Sequence, residues 1–266
     1  SKYSIDDDED YLDLLCQFKQ RIQFKIVLAY IDEYISAQVA CKSLSILAQH
    51  LLKLVIKLAW QQSQDRIASS IQVHDLIVIA YGSMATQSMH LQSDFDLVFI
   101  INQRISNDNH KFIMYWIKRI IYLLSIRTYS GHLYKLDTQL RPNGNSGAAV
   151  VSRTNFENYQ RNDAWLWEHA ALIKSRTVYA TEAQTHWYTQ LRKEILCRNR
   201  TAQSVDQDLQ LMADKLQEYN PKGNHQQEFL VLGKILKEAH NKPELIAETP
   251  IDKRAVKHKL DQSIQA

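Results

Sequence analysis

A buried strand that ends in Gly-Ser and is followed by an Asp-x-Asp strand constrains this chain more than any other feature. Val73–Tyr81 is an apolar run that reads as a buried strand, and it ends in Gly82-Ser83. A glycine there lets the backbone approach a ligand closely, and Ser83 offers a hydroxyl and an N–H to a phosphate oxygen. Phe95–Ile101 is a second apolar run, and Asp94 and Asp96 stand two apart at its start. Side chains two apart on a strand leave the same face. Two carboxylates on one face can hold Mg²⁺, a hard cation bound by a few carboxylates together with substrate phosphates. The bland alternative is that the two acids flank a turn or a solvated strand end.

A third carboxylate argues against that alternative. His132–Leu140 alternates roughly as a half-buried strand does, with Asp137 among Leu133, Leu136 and Leu140. An unpaired carboxylate is costly to bury, and a metal partner is a physical reason for one. Between the second and third strands, Lys111–Ile126 carries Phe112, Trp116, Ile120, Leu123 and Leu124 at helical spacing. A strand–strand–helix–strand unit with three acids makes a small catalytic sheet backed by helices.

The Gly-Ser, spacer, Asp-apolar-Asp-apolar pattern is similar to the signature of the polymerase-β-type nucleotidyltransferases. A longer set of residues narrows the resemblance. Asp137-Thr-Gln-Leu-Arg141-Pro142-Asn143-Gly144-Asn145-Ser146-Gly147 is followed by Asn155-Phe-Glu-Asn-Tyr159-Gln160, Ala164-Trp165-Leu-Trp167-Glu168-His169 and Arg176. Tyr129-Ser130-Gly131-His-Leu-Tyr134 and Cys16-Gln17-Phe18-Lys19-Gln20 fit the same set. Together they resemble the glutamine synthetase adenylyltransferases, and the Trp-x-Trp-Glu-His segment resembles the carboxy-terminal, adenylylating half of that two-headed enzyme. The resemblance extends from about Asp10 to about Leu245 and implies a piece or a truncated relative of a larger enzyme.

The resemblance implies an α+β fold of the nucleotidyltransferase type, a small mixed sheet with flanking helices. It also implies transfer of AMP from ATP to a tyrosine of glutamine synthetase, with release of pyrophosphate. Asp94, Asp96 and Asp137 would then be the catalytic acids and the ligands of paired Mg²⁺ ions, which would clamp the attacking and leaving oxygens. Asp137 has a second role open to it, deprotonation of the incoming tyrosine. Gly82, Ser83 and Arg141 would hold the nucleotide. Arg141 is shaped for phosphate oxygens, although a salt bridge locking the strand end is the alternative. Asn143–Gly147 is either a loop approaching the nucleotide or an ordinary tight turn.

Two further readings are open: phosphorolytic removal of AMP from the modified synthetase, and a catalytically weak remnant that binds the synthetase or a PII-type nitrogen-signalling protein. Departures from the family pattern feed the last of these. Lys-Leu-Gly-Gly after the first glycine is here Ser83-Met84-Ala85-Thr86, Gln139 stands in place of an arginine, and Gln226 in place of an acid.

Composition sets wider bounds. The 266 residues divide into an expected helical segment over 1–68, a catalytic part over 69–180 and a second helical segment over 181–266. Six glycines and four prolines suit a helix-rich chain. A net charge of +3 is too weak for a nucleic-acid partner. Cys16, Cys41 and Cys197 are scattered without metal-ligand spacing and read as reduced thiols of a cytoplasmic protein. No apolar run is expected to reach membrane-spanning length, and the acidic start Asp6–Asp10 is not that of a signal peptide. Trp165, Trp167 and His169 are expected in a helix core. Lys174 and Arg176 are expected on the solvated face of that same helix, and His132 and the charged stretch Asp252–Lys259 on the surface.

Overall fold

The computed structural model describes residues 5–102, 105–137, 149–201, 203, 205–208, 210–211, 231, 233, 235–246 and 253–265. Two long helices come first, α1 (Ile5–Ile31) and α2 (Ala37–Gln64). Ser36 caps α2 by accepting from the Val39 N–H at 3.4 Å. Strand β1 (Leu76–Tyr81) runs directly into a single helical turn, α3 (Gly82–Ala85). Strand β2 (Phe95–Ile101), helix α4 (Asn107–Ser125), and strands β3 (Leu136–Asp137) and β4 (Val150–Ser152) follow. Then come α5 (Arg153–Asn162), α6 (Leu166–Ile173), β5 (Ser175–Tyr179), α7 (Glu182–Leu196) and a helix α8 (Lys253–Gln265).

The five strands form one mixed sheet. β1 is central, antiparallel to β2 on one side and to β5 on the other. β3 and β4 both run parallel to β2 on its outer edge, β3 at its start and β4 at its end. Alternation along the strands divides the core in two. Leu76, Val78, Ala80, Phe95, Leu97, Phe99 and Ile101 face α1, α2, α4 and α8. Ile77, Ile79, Tyr81, Val98 and Ile100 face α5, α6 and α7. Helices on both faces explain why β1 is apolar at every position rather than at every second one.

The structure moves several sequence expectations. Val73–Asp75 is a 3₁₀ turn rather than strand, because Asp75 accepts from the Gln72 N–H at 2.8 Å and donates its own N–H back to the Gln72 carbonyl at 2.9 Å. The helix expected from Lys111 starts at Asn107, where Asn109 caps Ser106 N–H at 2.8 Å. In the stretch expected to be strand from His132, only Leu136–Asp137 is strand among the described residues. The preceding segment is taken by α1 instead. Lys19 donates to the carbonyls of His132 and Leu133 at 2.8 and 2.7 Å, and Asp13 accepts from the Ser130 N–H at 2.7 Å. That backbone bond leads the causes that hold the Asp13 carboxyl down at about 2. His132 is thus half-buried in a loop, not on a strand surface.

Helix α2 corrects the expectation about apolar runs: over 28 residues it is long and apolar enough to cross a bilayer by length and composition alone. Here it is the central helix of the core. Ala40, Leu44, Ala48, Leu51, Leu52, Val55, Ile56 and Ala59 are buried, and the buried Trp116 indole of α4 donates to the Ile56 carbonyl at 3.2 Å.

Trp165 and Trp167 are not core. Trp165 precedes α6 as its cap, 58% exposed, and Trp167 is 38% exposed. His169 is buried as expected. Its Nε2–H donates to the Gln160 carbonyl at 2.9 Å, and Nδ1 accepts from Arg200 at 3.2 Å, which together select the neutral ring. Burial, aided by the nearby Arg200 and Arg198, outweighs the Gln160 bond and brings the imidazole down to about 4.

An unfolded histidine takes up a proton near pH ~6.5 and the folded one only near 4, so stability is full above that range and declines as pH falls through it. The expected decline is of the order of 3 kcal/mol. A His169→Gln variant, whose amide can still donate to Gln160, should lose that part of the slope. Melting temperatures of both proteins between pH ~7 and ~4 check this.

Candidate functional site

The acids meet the glycine at one end of the sheet, where β1 finishes and β2, β3 and β5 begin. Gly82 has φ +56, in the left-handed region. A Cβ built on it would lie 2.7 Å from Asp96 Oδ2 and 3.9 Å from Asp96 Cγ. The half-buried Asp96 carboxylate therefore sits directly against the glycine backbone, in space that only the absence of a side chain provides. Asp94, just before β2, is exposed. Asp137 is the register partner of Asp96 across the parallel β2–β3 pair, as Leu136 is of Phe95. The backbone thus brings Gly82, Asp96 and Asp137 to adjacent positions, with Asp94 on the lip. Arg141 and the Asn143–Gly147 loop lie outside the described residues, as do Gln139 and Gln226.

Ser83 is the second residue of α3, half-buried. The Gly82 N–H is engaged with the Lys174 carbonyl at 3.0 Å. The turn is closed behind by Thr86, whose N–H and hydroxyl both reach the Gly82 carbonyl at 3.1 Å, and by the Ser88 N–H on the Ser83 carbonyl at 2.8 Å. Gln87, at φ 55, lets the chain reverse there. Ser45 of α2 accepts from the Met89 N–H at 3.2 Å and fastens the loop to the core.

Two histidines flank Asp94. Burial lowers both His90 and His132, and the Asp94 carboxylate opposes that shift in each. His90 Nδ1 is buried without a hydrogen-bond partner among the described residues. Among the described side chains, which do not include that of Asp137, no group of three or more His, Cys, Asp or Glu is arranged to hold a metal ion. The donor chemistry at this sheet end is nevertheless carboxylate oxygen, with no sulfur, and it suits a hard divalent cation such as Mg²⁺.

A cavity of about 610 Å³ opens at the opposite end of the sheet, lined among others by His74, Asn102, Arg153, Glu157, Arg161 and Glu194. Its charges are matched internally. Arg153 and Arg161 pair with Glu157 at 3.2 and 3.0 Å, and Arg161 pairs with Glu194 at 3.0 Å. The length of β2 separates it from the acids, roughly 20 Å at strand rise.

The profile of the glutamate-ammonia ligase adenylyltransferase family matches residues 3–191. The chain belongs to that family. It is also 30% identical, over 90% of its length, to the bifunctional glutamine synthetase adenylyltransferase/adenylyl-removing enzyme of Vibrio parahaemolyticus serotype O3:K6 (strain RIMD 2210633). The chain spans 28% of the length of that relative. The mixed sheet between helical layers, with Gly-Ser after β1 and Asp-x-Asp at β2, is the nucleotidyltransferase fold of this family.

Within the family's fold, one side chain has a place that its sequence context did not reveal. Arg176 is not on a helix with Lys174, as the spacing suggested; it lies on β5. Its guanidinium donates to the Ala85 carbonyl at 2.9 Å and to the Met84 carbonyl at 3.1 Å. The sequence gives no sign of that role, because both acceptors lie some ninety residues earlier.

Proposed function

We propose that this chain transfers AMP from ATP to a tyrosine of glutamine synthetase. The observation that carries the reading is the apposition of the Gly82 backbone and the Asp96 carboxylate, beside the strand position of Asp137. In this reading Asp94, Asp96 and Asp137 would hold Mg²⁺, as one ion or two, which when bound would neutralise phosphate charge and polarise the α-phosphate. Ser83 donates its N–H and hydroxyl to phosphate oxygens, and Arg141 clamps the triphosphate. The tyrosine oxygen bonds to the α-phosphorus, the bond to the bridging oxygen breaks, and pyrophosphate leaves. The phenol proton goes to solvent or to Asp137. Three unpaired thiols, Cys16, Cys41 and Cys197, suit a cytoplasmic setting.

A second reading is phosphorolytic removal of AMP. It is favoured by the name of the Vibrio relative, which carries both activities. Incubating labelled ATP with glutamine synthetase, this chain and Mg²⁺ separates the two. Label should appear on the synthetase with the parent chain and fall at least about 100-fold with Asp137→Asn, the scale of losing a group that acts on the reacting atoms. Release of ADP from modified synthetase when phosphate is added, and no labelling, would install the second reading. Binding to the synthetase with neither reaction would leave a remnant that docks without turning over.

A further inference from the structure

We propose that Arg176 is the positioning residue of the nucleotide turn: it fixes where Gly82–Ser83 stands relative to Asp96. The inference rests on the reading of that turn as the phosphate holder and deepens it.

The four residues of α3 make one helical turn. A single turn is not stable alone, because fixing its dihedrals yields too few hydrogen bonds. Its terminal carbonyls also lack partners within the helix. The turn must therefore be held from outside, and β5 holds it at both ends. At the entry, the Lys174 carbonyl just before β5 accepts the Gly82 N–H at 3.0 Å. At the exit, two nitrogens of Arg176 take the Ala85 and Met84 carbonyls at 2.9 and 3.1 Å. Residues 174 and 176 thus grip the first and the last two residues of α3.

The guanidinium is itself held. Its two terminal nitrogens each lie 3.3 Å from Gln49 Oε1, and Gln49 Nε2 donates to the Val178 carbonyl at 2.8 Å. A planar fork with fixed donors can serve the two turn carbonyls and Gln49 at once, whereas an ammonium on a flexible stem cannot. Among the described residues no carboxylate pairs with Arg176, and burial lowers its affinity for the proton. A part-buried cation at the C-terminal end of α3 is matched only by carbonyl dipoles.

The height of the turn matters because of Asp96. With Gly82 already against the carboxylate, a displacement of α3 by a fraction of an ångström changes both the space left for Asp96 and the reach of the Ser83 N–H. Arg176 would thereby govern nucleotide affinity without touching the nucleotide.

The experiment compares Arg176→Lys with a matched control, Arg200→Lys. Arg200 is also a part-buried guanidinium on helix-end carbonyls, those of Ile195 and Leu196 at 2.8 and 3.2 Å, on α7 rather than α3. Calorimetric titration with MgATP and melting temperature are measured for each, with circular dichroism to confirm folding. Both variants should melt at lower temperature, but only Arg176→Lys should weaken MgATP, by about tenfold, the worth of one lost charge-assisted hydrogen bond in the support. Gln49→Ala, which loosens the guanidinium and leaves the turn's own bonds intact, should weaken MgATP by about threefold. In turnover, KM for ATP should rise while KM for the protein substrate stays constant. Folded Arg176→Lys protein that binds MgATP like the parent overturns the inference, and so does an equal loss in Arg200→Lys. A parent chain that does not bind MgATP at all overturns instead the reading of the turn on which the inference stands.

Discussion

Joint replacement of Asp94 and Asp96 by asparagine is expected to abolish Mg²⁺-dependent ATP binding, a loss of at least about 100-fold. The two acids share the start of β2, one exposed and one half-buried against Gly82. Asparagine keeps the shape of each side chain and removes its charge. A divalent cation then loses two anionic ligands, while supporting residues of a metal site alone are worth about 10–100-fold. The apolar core on either side of β2 is left as it is. Relief of repulsion between neighbouring carboxylates should leave the melting temperature unchanged or raised. Titration with ATP in Mg²⁺ and again in EDTA separates metal-dependent binding from the rest. A double variant that binds MgATP as well as the parent would remove these residues from the site.

The parts of the fold that were legible in the sequence are those fixed by local pattern. Phe95–Ile101 is a strand with the boundaries its apolar run predicts, and the Phe112, Trp116, Ile120, Leu123, Leu124 spacing marks the buried side of α4. Both follow from periodicity, which a sequence displays directly. The glycine was legible as a place of close approach, but the group that approaches was not: it is Asp96 of the same chain, brought over by the antiparallel pairing of β1 and β2.

What stayed hidden depends on partners far along the chain. His132–Tyr134 alternates like a strand, yet the Lys19 ammonium, more than a hundred residues earlier, takes two of its carbonyls and stands 4.9 Å from the Tyr134 ring. Arg176 looked like a solvated helix charge because its acceptors, Met84 and Ala85, are some ninety residues away. Trp165 and Trp167 looked like core because aromatic residues usually are; α6 instead buries His169, Ala170, Leu172 and Ile173. Arg141 carries part of the proposed phosphate contact and lies outside the described residues, so its role stands on the family resemblance alone.

Gly82→Ala is expected to strike the fold and the site through one atom. The backbone there has φ +56, which an L side chain adopts at a cost of about 1–2 kcal/mol. The added Cβ would also stand 2.7 Å from Asp96 Oδ2, nearer than non-bonded atoms approach, so the carboxylate must swing away. MgATP affinity should then fall about as far as in an Asp96→Asn single variant, although no acid has been removed. A double-mutant cycle isolates the contact. In an Asp96→Ala background the new Cβ meets no carboxylate, and the destabilisation caused by Gly82→Ala should shrink to the backbone part, about 1–2 kcal/mol. Chemical denaturation of the four proteins gives the coupling directly. Equal destabilisation with and without the Asp96 carboxylate would mean that glycine is required at this turn for its backbone angle only. The acid would then have to be positioned by something other than the space Gly82 leaves.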